Sequence, residues 1–113
     1  MAPIPRIAVC EDHVPASALK VPVVELIGRK WTIPILAELI SGPRRFSTLK
    51  EDLRGISAPV LSRRLAELEE RGLVRRTRLP RPALNMVYEA TDWALEVGPI
   101  LEALGRWADG RGQ

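Results

Sequence analysis

The side chains of this chain that could do chemistry are mainly arginines, and they are concentrated in one segment. Between positions 54 and 81, eight arginines stand against three glutamates, which gives a local charge of +5 and leaves −2 for the rest of a chain of net charge +3. A guanidinium group can grip a phosphate, or the O6 and N7 atoms of guanine, through two parallel hydrogen bonds. A surface that binds nucleic acid is favoured over a solvated helix face, because most of these arginines fall outside the predicted helix and no acid is expected to balance them.

A helix predicted over 57–71 carries two of these arginines side by side. Ser57 is a typical N-cap, Pro59 suits a first helical turn, and Gly72 ends the helix. Three apolar residues at helical spacing define one buried stripe: Leu61, Leu65 and Leu68. The opposite face of this helix is therefore available to a ligand.

Candidate contacts with DNA lie on that outer face and at the start of the helix. Arg63 lies opposite the leucine stripe and is the sharpest candidate for a contact with a base edge. Arg64 lies nearer the stripe, so it either grips the DNA backbone or supports the fold. The remaining candidates are two hydroxyl donors and two apolar residues suited to a thymine methyl group: Ser57, Ser62, Pro59 and Val60.

Two strands follow the helix, over 73–79 and 86–90, and predict a hairpin whose tip contains two prolines. This hairpin would bring basic and polar side chains to the minor groove or to flanking phosphates. The candidate contacts on the hairpin are Arg78, Arg81 and Asn85.

The remaining elements are predicted from apolar periodicity and from helix breakers. In chain order they are a Pro-rich arm (1–17), a first helix (16–27), a second helix (30–40), a very short strand (44–46), a small helix capped by Ser47 (47–53) and a last helix capped by Thr91 (91–109). The first helix either begins near Pro22 or kinks there, and Pro99 should bend the last one. Two short helices and a following hairpin predict a mainly α-helical, winged helix-turn-helix domain over 18–113.

The last helix has a continuous apolar face that predicts a dimer interface. Its members are Val97, Ile100, Leu101, Leu104 and Trp107. Such a face more often packs into a core, but on a domain this small it needs a partner surface. A second copy of the chain, related by a two-fold axis, is the expected partner.

Several linked motifs resemble the HxlR-type winged helix-turn-helix regulators. They are Leu26 to Ile33, Gly42 to Leu49, Gly55 to Ser57, Leu61 to Leu65 with Leu68-Glu69, and Gly72 to Val74. The resemblance runs from about position 18 to 107. It implies a homodimeric bacterial or archaeal transcription factor with a DNA-reading helix over 57–71, a wing over 73–90 and dimerisation through the terminal helices.

Cysteine usage departs from that family. Many members carry a cysteine at the start of the first helix, where this chain has Ala18, and the single cysteine, Cys10, lies eight residues earlier. A redox-responsive regulator that uses Cys10 is one alternative reading. The segment Cys10 to His13 also resembles a metal cluster, but it lacks zinc-type spacing, and no metal or cofactor is expected.

The sequence as a whole predicts a sequence-specific regulator that binds duplex DNA, acting as a repressor on a palindromic operator, with an unidentified small-molecule effector as a further possible partner. A winged helix used for protein–protein contact is the other alternative, and the arginines argue against it. An enzyme is not expected, because no catalytic motif is visible. RNA binding by stacking is disfavoured because the five aromatic residues mostly fall on core-facing positions. The lone cysteine and the lack of a signal or apolar span predict a cytoplasmic protein associated with the nucleoid.

Overall fold

Helices dominate the structure, and a small sheet packs beside them. The computed structural model describes residues 21–80 and 86–112. Within them the elements are α1 (Pro22–Ile27), α2 (Thr32–Ser41), β1 (Arg44–Arg45), α3 (Phe46–Asp52), α4 (Ala58–Glu70), β2 (Val74–Arg78), β3 (Met86–Ala90), α5 (Asp92–Leu95) and α6 (Gly98–Gly112). The mainly α-helical, winged helix-turn-helix class is confirmed, and the predicted order of elements holds from α1 to β3. No helix in this described part is long and apolar enough to cross a membrane.

The sheet has three strands in the order β1-β3-β2, all antiparallel. The predicted hairpin is β2 with β3, paired from Val74 opposite Ala90 to Arg78 opposite Met86. The short strand β1 adds to its other edge, with Arg44 opposite Tyr88. Since β1 leads directly into α3, the sheet is joined to the helix-turn-helix at both ends of that unit.

The core is made mostly of leucine and isoleucine side chains. The predicted stripe of α4 is confirmed: Leu61 and Leu68 are fully buried and Leu65 is 2% exposed. They meet Ile35, Leu36 and Leu39 of α2 and other residues in one cluster. Burying each leucine stabilises the fold by roughly 1.5–3 kcal/mol relative to leaving it in water, so this cluster fixes the inner face of α4.

Helix starts follow the predicted caps in two cases and not in a third. Ser57 Oγ accepts a hydrogen bond from the Val60 amide at 3.3 Å, and Thr91 Oγ1 accepts one from the Ala94 amide at 3.3 Å. The predicted cap at Ser47 was wrong, since α3 begins at Phe46 and its N-cap is Arg45. Arg45 is still paired in the sheet, so the strand runs straight into the helix and Ser47 already lies in the first turn.

The prolines decide where the first and last helices begin. α1 begins at Pro22, the first of the two alternatives considered above. The single helix predicted over 91–109 was wrong, because the chain forms α5 and then α6 instead. Pro99 has no amide hydrogen and would clash with the carbonyl of Leu95 in a continuous helix. The chain therefore turns at Glu96 and Val97, and Pro99 lies in the first turn of α6.

We predict that Thr91→Ala lowers the free energy of unfolding by about 1–2 kcal/mol. The substitution removes the cap of α5 and also the hydrogen bond that Thr91 Oγ1 donates to the Gly72 carbonyl at 2.7 Å. Chemical denaturation measures the loss. Ser47→Ala is the matched control, because Ser47 caps nothing in α3; it should change stability by less than about 0.5 kcal/mol. Equal losses in the two variants would contradict the assigned caps.

Candidate nucleic-acid interface

The helix-turn-helix is formed by α3 and α4, joined through a tight turn at Gly55. This glycine has φ +95°, a left-handed conformation that side chains rarely adopt. In proteins of this architecture the second helix enters the major groove and the first crosses the backbone. The turn therefore identifies α4 as the helix whose outer face is available for base contacts.

The outer face of α4 presents Arg63 with few constraints. Arg63 is exposed, and within the described residues it forms no ion pair and no side-chain hydrogen bond. Pro59 and Ser62 are exposed beside it, whereas Val60 is half-buried and packs against the core. Ser57 is exposed, but its hydroxyl oxygen is already used as the helix cap. Arg63 is therefore the one arginine of α4 whose guanidinium can reach out from the domain.

Arg64 has the opposite environment, although it is the next residue. Its side chain is only 12% exposed. Nε donates to the Lys30 carbonyl at 3.0 Å, and Nη1 donates to Glu67 Oε1 at 3.1 Å. Of the two alternatives for Arg64, these contacts favour support of the fold over a grip on the DNA backbone. The guanidinium is held inside because the Lys30 carbonyl lies within its reach on the inner side of α4.

Two arginines of the wing are paired with carboxylates, which corrects the expectation that no acid balances them. Arg75 donates from Nε to Glu89 Oε2 at 2.8 Å, because the register places Arg75 directly opposite Glu89. Arg76 Nε lies 3.2 Å from both carboxylate oxygens of Glu69, near the end of α4. Because consecutive side chains of a strand point to opposite sides, these pairs reduce the positive charge on both faces of β2.

Other cations stay exposed without an ion pair among the residues that the structure describes. They are Lys30, Arg45, Lys50, Arg54, Arg63, Arg71, Arg78 and Arg106. Arg78 is the predicted wing contact that falls in β2. Arg81 and Asn85, the other two, lie outside the described residues. Sequence analysis did not single out Arg45 and Lys50, although the rule that the first helix crosses the DNA backbone would have found Lys50.

The predicted dimer face is partly core and partly exposed. Val97 and Leu101 pack against the hydrophobic cluster, so they are half-buried in one copy of the chain. Ile100, Leu104 and Trp107 are 62%, 45% and 67% exposed. This division arises because the inner side of α6 packs on its own domain and only the outer side is left over.

Trp93 was left unexplained by the sequence and proves to be part of the same surface. It is 49% exposed and, with Val97 and Ile100, lines a groove of about 250 Å³ between α1 and the start of α6. Trp93 and Trp107 are the exceptions to the expectation that the aromatic residues mostly face the core. The other three aromatics are half-buried and pack against the core cluster.

The possible metal and redox residues cannot be compared with the structure. Cys10 and the segment Cys10 to His13 lie outside the described residues. In the part that is described, no group of three histidine, cysteine or carboxylate side chains could hold a metal ion.

Comparison with known proteins decides the family. The model of the HxlR-like helix-turn-helix family matches residues 26–113, which include α2, the helix-turn-helix, the wing and α6. The chain belongs to this family. Its relatives are DNA-binding transcriptional regulators rather than enzymes, as predicted.

Two relatives of this HxlR-like protein come from Bacillus subtilis (strain 168). The uncharacterised HTH-type transcriptional regulator YvaP is 35% identical over 85 residues, which is 75% of this chain and 79% of YvaP. The HTH-type transcriptional regulator YodB is 32% identical over 84 residues, 74% of this chain and 75% of YodB. The predicted resemblance is thus confirmed over most of the chain.

Solved structures show the same fold. The reduced form of YodB has a TM-score of 0.72 at 31% identity and covers 79% of this chain and 91% of YodB. The redox regulator HypR in its reduced form has a TM-score of 0.71 at 25% identity and covers 78% of this chain and 87% of HypR. The HxlR-like chain is therefore a transcriptional regulator with a winged helix-turn-helix.

Proposed function

We propose that this HxlR-like regulator is a homodimeric repressor that binds a palindromic operator in duplex DNA. The observation that carries the proposal is the contrast on α4, where Arg63 is exposed and unpaired among the described residues while Arg64 is tied down. An exposed arginine in the first half of a recognition helix is well placed for a bidentate contact with guanine. DNA as the partner implies a cytoplasmic protein that acts at the nucleoid.

The first two turns of α4 supply the proposed base contacts. Pro59 and Ser62 are exposed next to Arg63, so a thymine methyl group and a hydrogen-bonding base edge are suitable partners for them. Further along the helix, the exposed Glu70 would repel phosphates, whereas Glu67 is already paired with Arg29 and Arg64. Glu70 therefore favours a contact limited to the N-terminal half of α4, and this sets how deep the helix enters.

The wing and α3, the first helix of the helix-turn-helix, supply phosphate contacts in this proposal. Arg78 is exposed at the end of β2. Arg81 and Asn85, from the segment that the sequence predicts as the hairpin tip, are the other proposed contacts of the wing. Arg75 and Arg76 contribute less, because carboxylates already neutralise them. Contacts to phosphate give affinity and register without reading the sequence.

The homodimer is supported by where the exposed apolar side chains lie. In the described part of the chain, the large apolar residues that are exposed come from α1, its N-cap, α5 and α6: Val21, Val24, Trp93, Leu95, Ile100, Leu104 and Trp107. Val24, Trp93 and Ile100 line one groove. An exposed apolar patch marks an interaction site, and a two-fold axis would make it complementary to itself. Two-fold symmetry in turn calls for a palindromic operator with half-sites about one helical turn, ~34 Å, or a small multiple of it apart.

Repression follows from occlusion. A dimer that covers two half-sites in a promoter competes with RNA polymerase for the same DNA. A small-molecule effector of this regulator remains unidentified, and the groove beside Trp93 would place such a ligand against the dimer surface.

We predict that Arg63→Ala weakens binding to a cognate duplex by roughly 1–3 kcal/mol and relaxes the base preference at one position. The duplex is one that the wild-type protein selects from a randomised pool. Affinities for it and for a shuffled duplex of equal length are measured by fluorescence anisotropy. Arg78→Ala is the matched control. It should weaken binding to both duplexes equally and lower the slope of log affinity against log salt concentration, the salt slope, by about one. Equal losses on both duplexes for Arg63→Ala would reduce Arg63 to a phosphate contact.

We predict that Leu104→Glu converts the dimer into a monomer, because it buries a charge in the proposed apolar interface. Sedimentation velocity at micromolar concentration gives the mass. Arg106→Glu is the control, since on a helix of 3.6 residues per turn this position lies about opposite Leu104. A wild-type protein that sediments as a monomer, or a Leu104→Glu variant that stays dimeric, would exclude this interface.

A redox response through Cys10 is a second candidate function. YodB has been solved in a reduced and a quinone-bound form, and HypR in a reduced and an oxidised form. If Cys10 makes this protein responsive to oxidants or quinones, treating it with a quinone should change its affinity for the selected duplex, and Cys10→Ser should abolish that change. The same change in the Cys10→Ser variant would show that this thiol is not the sensor.

A further inference from the structure

The turn between α1 and α2, residues 28–31, contacts the helix-turn-helix at two separate points. At the first, a Cβ built on Gly55 would lie 3.7 Å from Cη2 of Trp31, so the indole ring packs beside the turn between α3 and α4. At the second, the Lys30 carbonyl accepts the hydrogen bond from Arg64 Nε at 3.0 Å. The α1–α2 turn thus touches both the hinge of the helix-turn-helix and the recognition helix itself.

The turn has a defined conformation that suits an anchor. Trp31 has φ +80°, a left-handed conformation that is uncommon for a bulky residue and is kept only where the surroundings hold it. The backbone is closed by hydrogen bonds from the Arg29 amide to Leu26 at 3.0 Å and from the Thr32 amide to Arg29 at 3.2 Å. The carbonyl that Arg64 meets therefore belongs to a fixed piece of backbone.

Glu67 extends the contact to a third partner. Its Oε1 accepts the bond from Arg64 Nη1 at 3.1 Å, and its Oε2 accepts one from Arg29 Nη1 at 3.2 Å. Arg29 follows α1 directly, whereas Arg64 and Glu67 are one turn apart on α4. A chain of hydrogen bonds consequently runs from the end of α1 to the middle of the recognition helix.

We propose that Arg64 is a positioning residue, which sets the rotation and tilt of α4 and thereby aims Arg63 at the DNA bases. The leucine stripe buries one face of α4, but apolar contacts are not directional and tolerate small rotations. The hydrogen bonds of a planar guanidinium are directional, and binding groups need such supporting bonds to hold their geometry. The proposal rests on the proposed function, since it gives Arg63 the base contact.

The same contacts join the reading helix to α1, which carries part of the exposed apolar surface. Val24 of α1 is 36% exposed and lines the groove beside Trp93. It precedes Arg29 by five residues. A second copy that packs on α1 would therefore act on a helix that is hydrogen-bonded, through Arg29 and Glu67, to Arg64. Glu67 is the link that this coupling requires.

The test compares Arg64→Gln with Arg63→Gln on the duplex that wild-type protein selects from a randomised pool and on a shuffled duplex. Arg64→Gln should lower affinity for the selected duplex roughly tenfold, about the loss of one base contact. It should leave the affinity for the shuffled duplex unchanged, and likewise the slope of log affinity against log salt concentration, because no phosphate contact is removed. It should also lower the Tm, whereas Arg63→Gln should keep the wild-type Tm.

Two further variants keep the test decisive if Arg64→Gln folds poorly. Glu67→Gln keeps the Arg64–Lys30 bond and loses the ion pairs, so its discrimination between the two duplexes should fall less. Arg64→Lys keeps the charge beside Glu67 without the planar group, and it should restore part of the discrimination. All binding is measured at a temperature where circular dichroism shows the variant to be folded.

Two results would overturn the positioning role. A salt slope lowered by about one in Arg64→Gln would make Arg64 a phosphate contact. A folded Arg64→Gln or Glu67→Gln variant that discriminates as well as the wild type would make these residues mere scaffold. Wild-type protein that enriches no sequence from the pool would instead refute the proposed function, and this role with it.

Discussion

The burial of one leucine stripe is the constraint on which the rest of the structure depends. Leu61, Leu65 and Leu68 are at most 2% exposed, so α4 has only one side that can face outward. Helical geometry then places residue 63 on that side and residue 64 at its margin. Two neighbouring arginines of identical chemistry thereby meet different surroundings, one solvent and the other a backbone carbonyl.

The acids of the chain determine where the positive charge remains effective. Glu67 and Glu69, in the second half of α4, pair with Arg64 and Arg76, and Glu89 of β3 pairs with Arg75. The exposed pairs of Arg75 and Arg76 add little to stability. Their larger effect is on the electrostatic field, because they neutralise two arginines of β2 and leave cations such as Arg63, Lys50 and Arg78 uncompensated among the described residues. The total charge of the basic segment gives no hint of this division.

Local rules predicted much of the fold. The caps at Ser57 and Thr91, the leucine stripe and the strands each follow from a few neighbouring residues. The pairing of arginines did not follow, because Arg64 meets Lys30 at a distance of 34 positions and Arg75 meets Glu89 at 14. Such partners depend on register and on helix packing, which periodicity does not supply.

The prediction of a single last helix was wrong for a different reason. The apolar pattern of 97–107 was correctly seen, but a pattern cannot tell whether a side chain packs on its own domain, as Val97 does, or stays exposed, as Ile100 does. The effect of Pro99 was read as a bend, when its clash with the preceding turn starts a new helix. For the candidate site, the sequence singled out Arg63 and Arg78, while the inward role of Arg64 needed coordinates to choose between two alternatives.

The interruption at Glu96 and Val97 has a consequence for how such regulators diversify. Because α5 ends before α6 begins, the direction of α6 is set by the two-residue link at Glu96 and Val97 rather than by the wing that precedes it. In a two-fold dimer built on α6, small changes at Glu96 and Val97 would alter the distance between the two α4 helices and their relative rotation about the duplex axis. Operators of different geometry could then be served while the base-reading chemistry of α4 stays untouched.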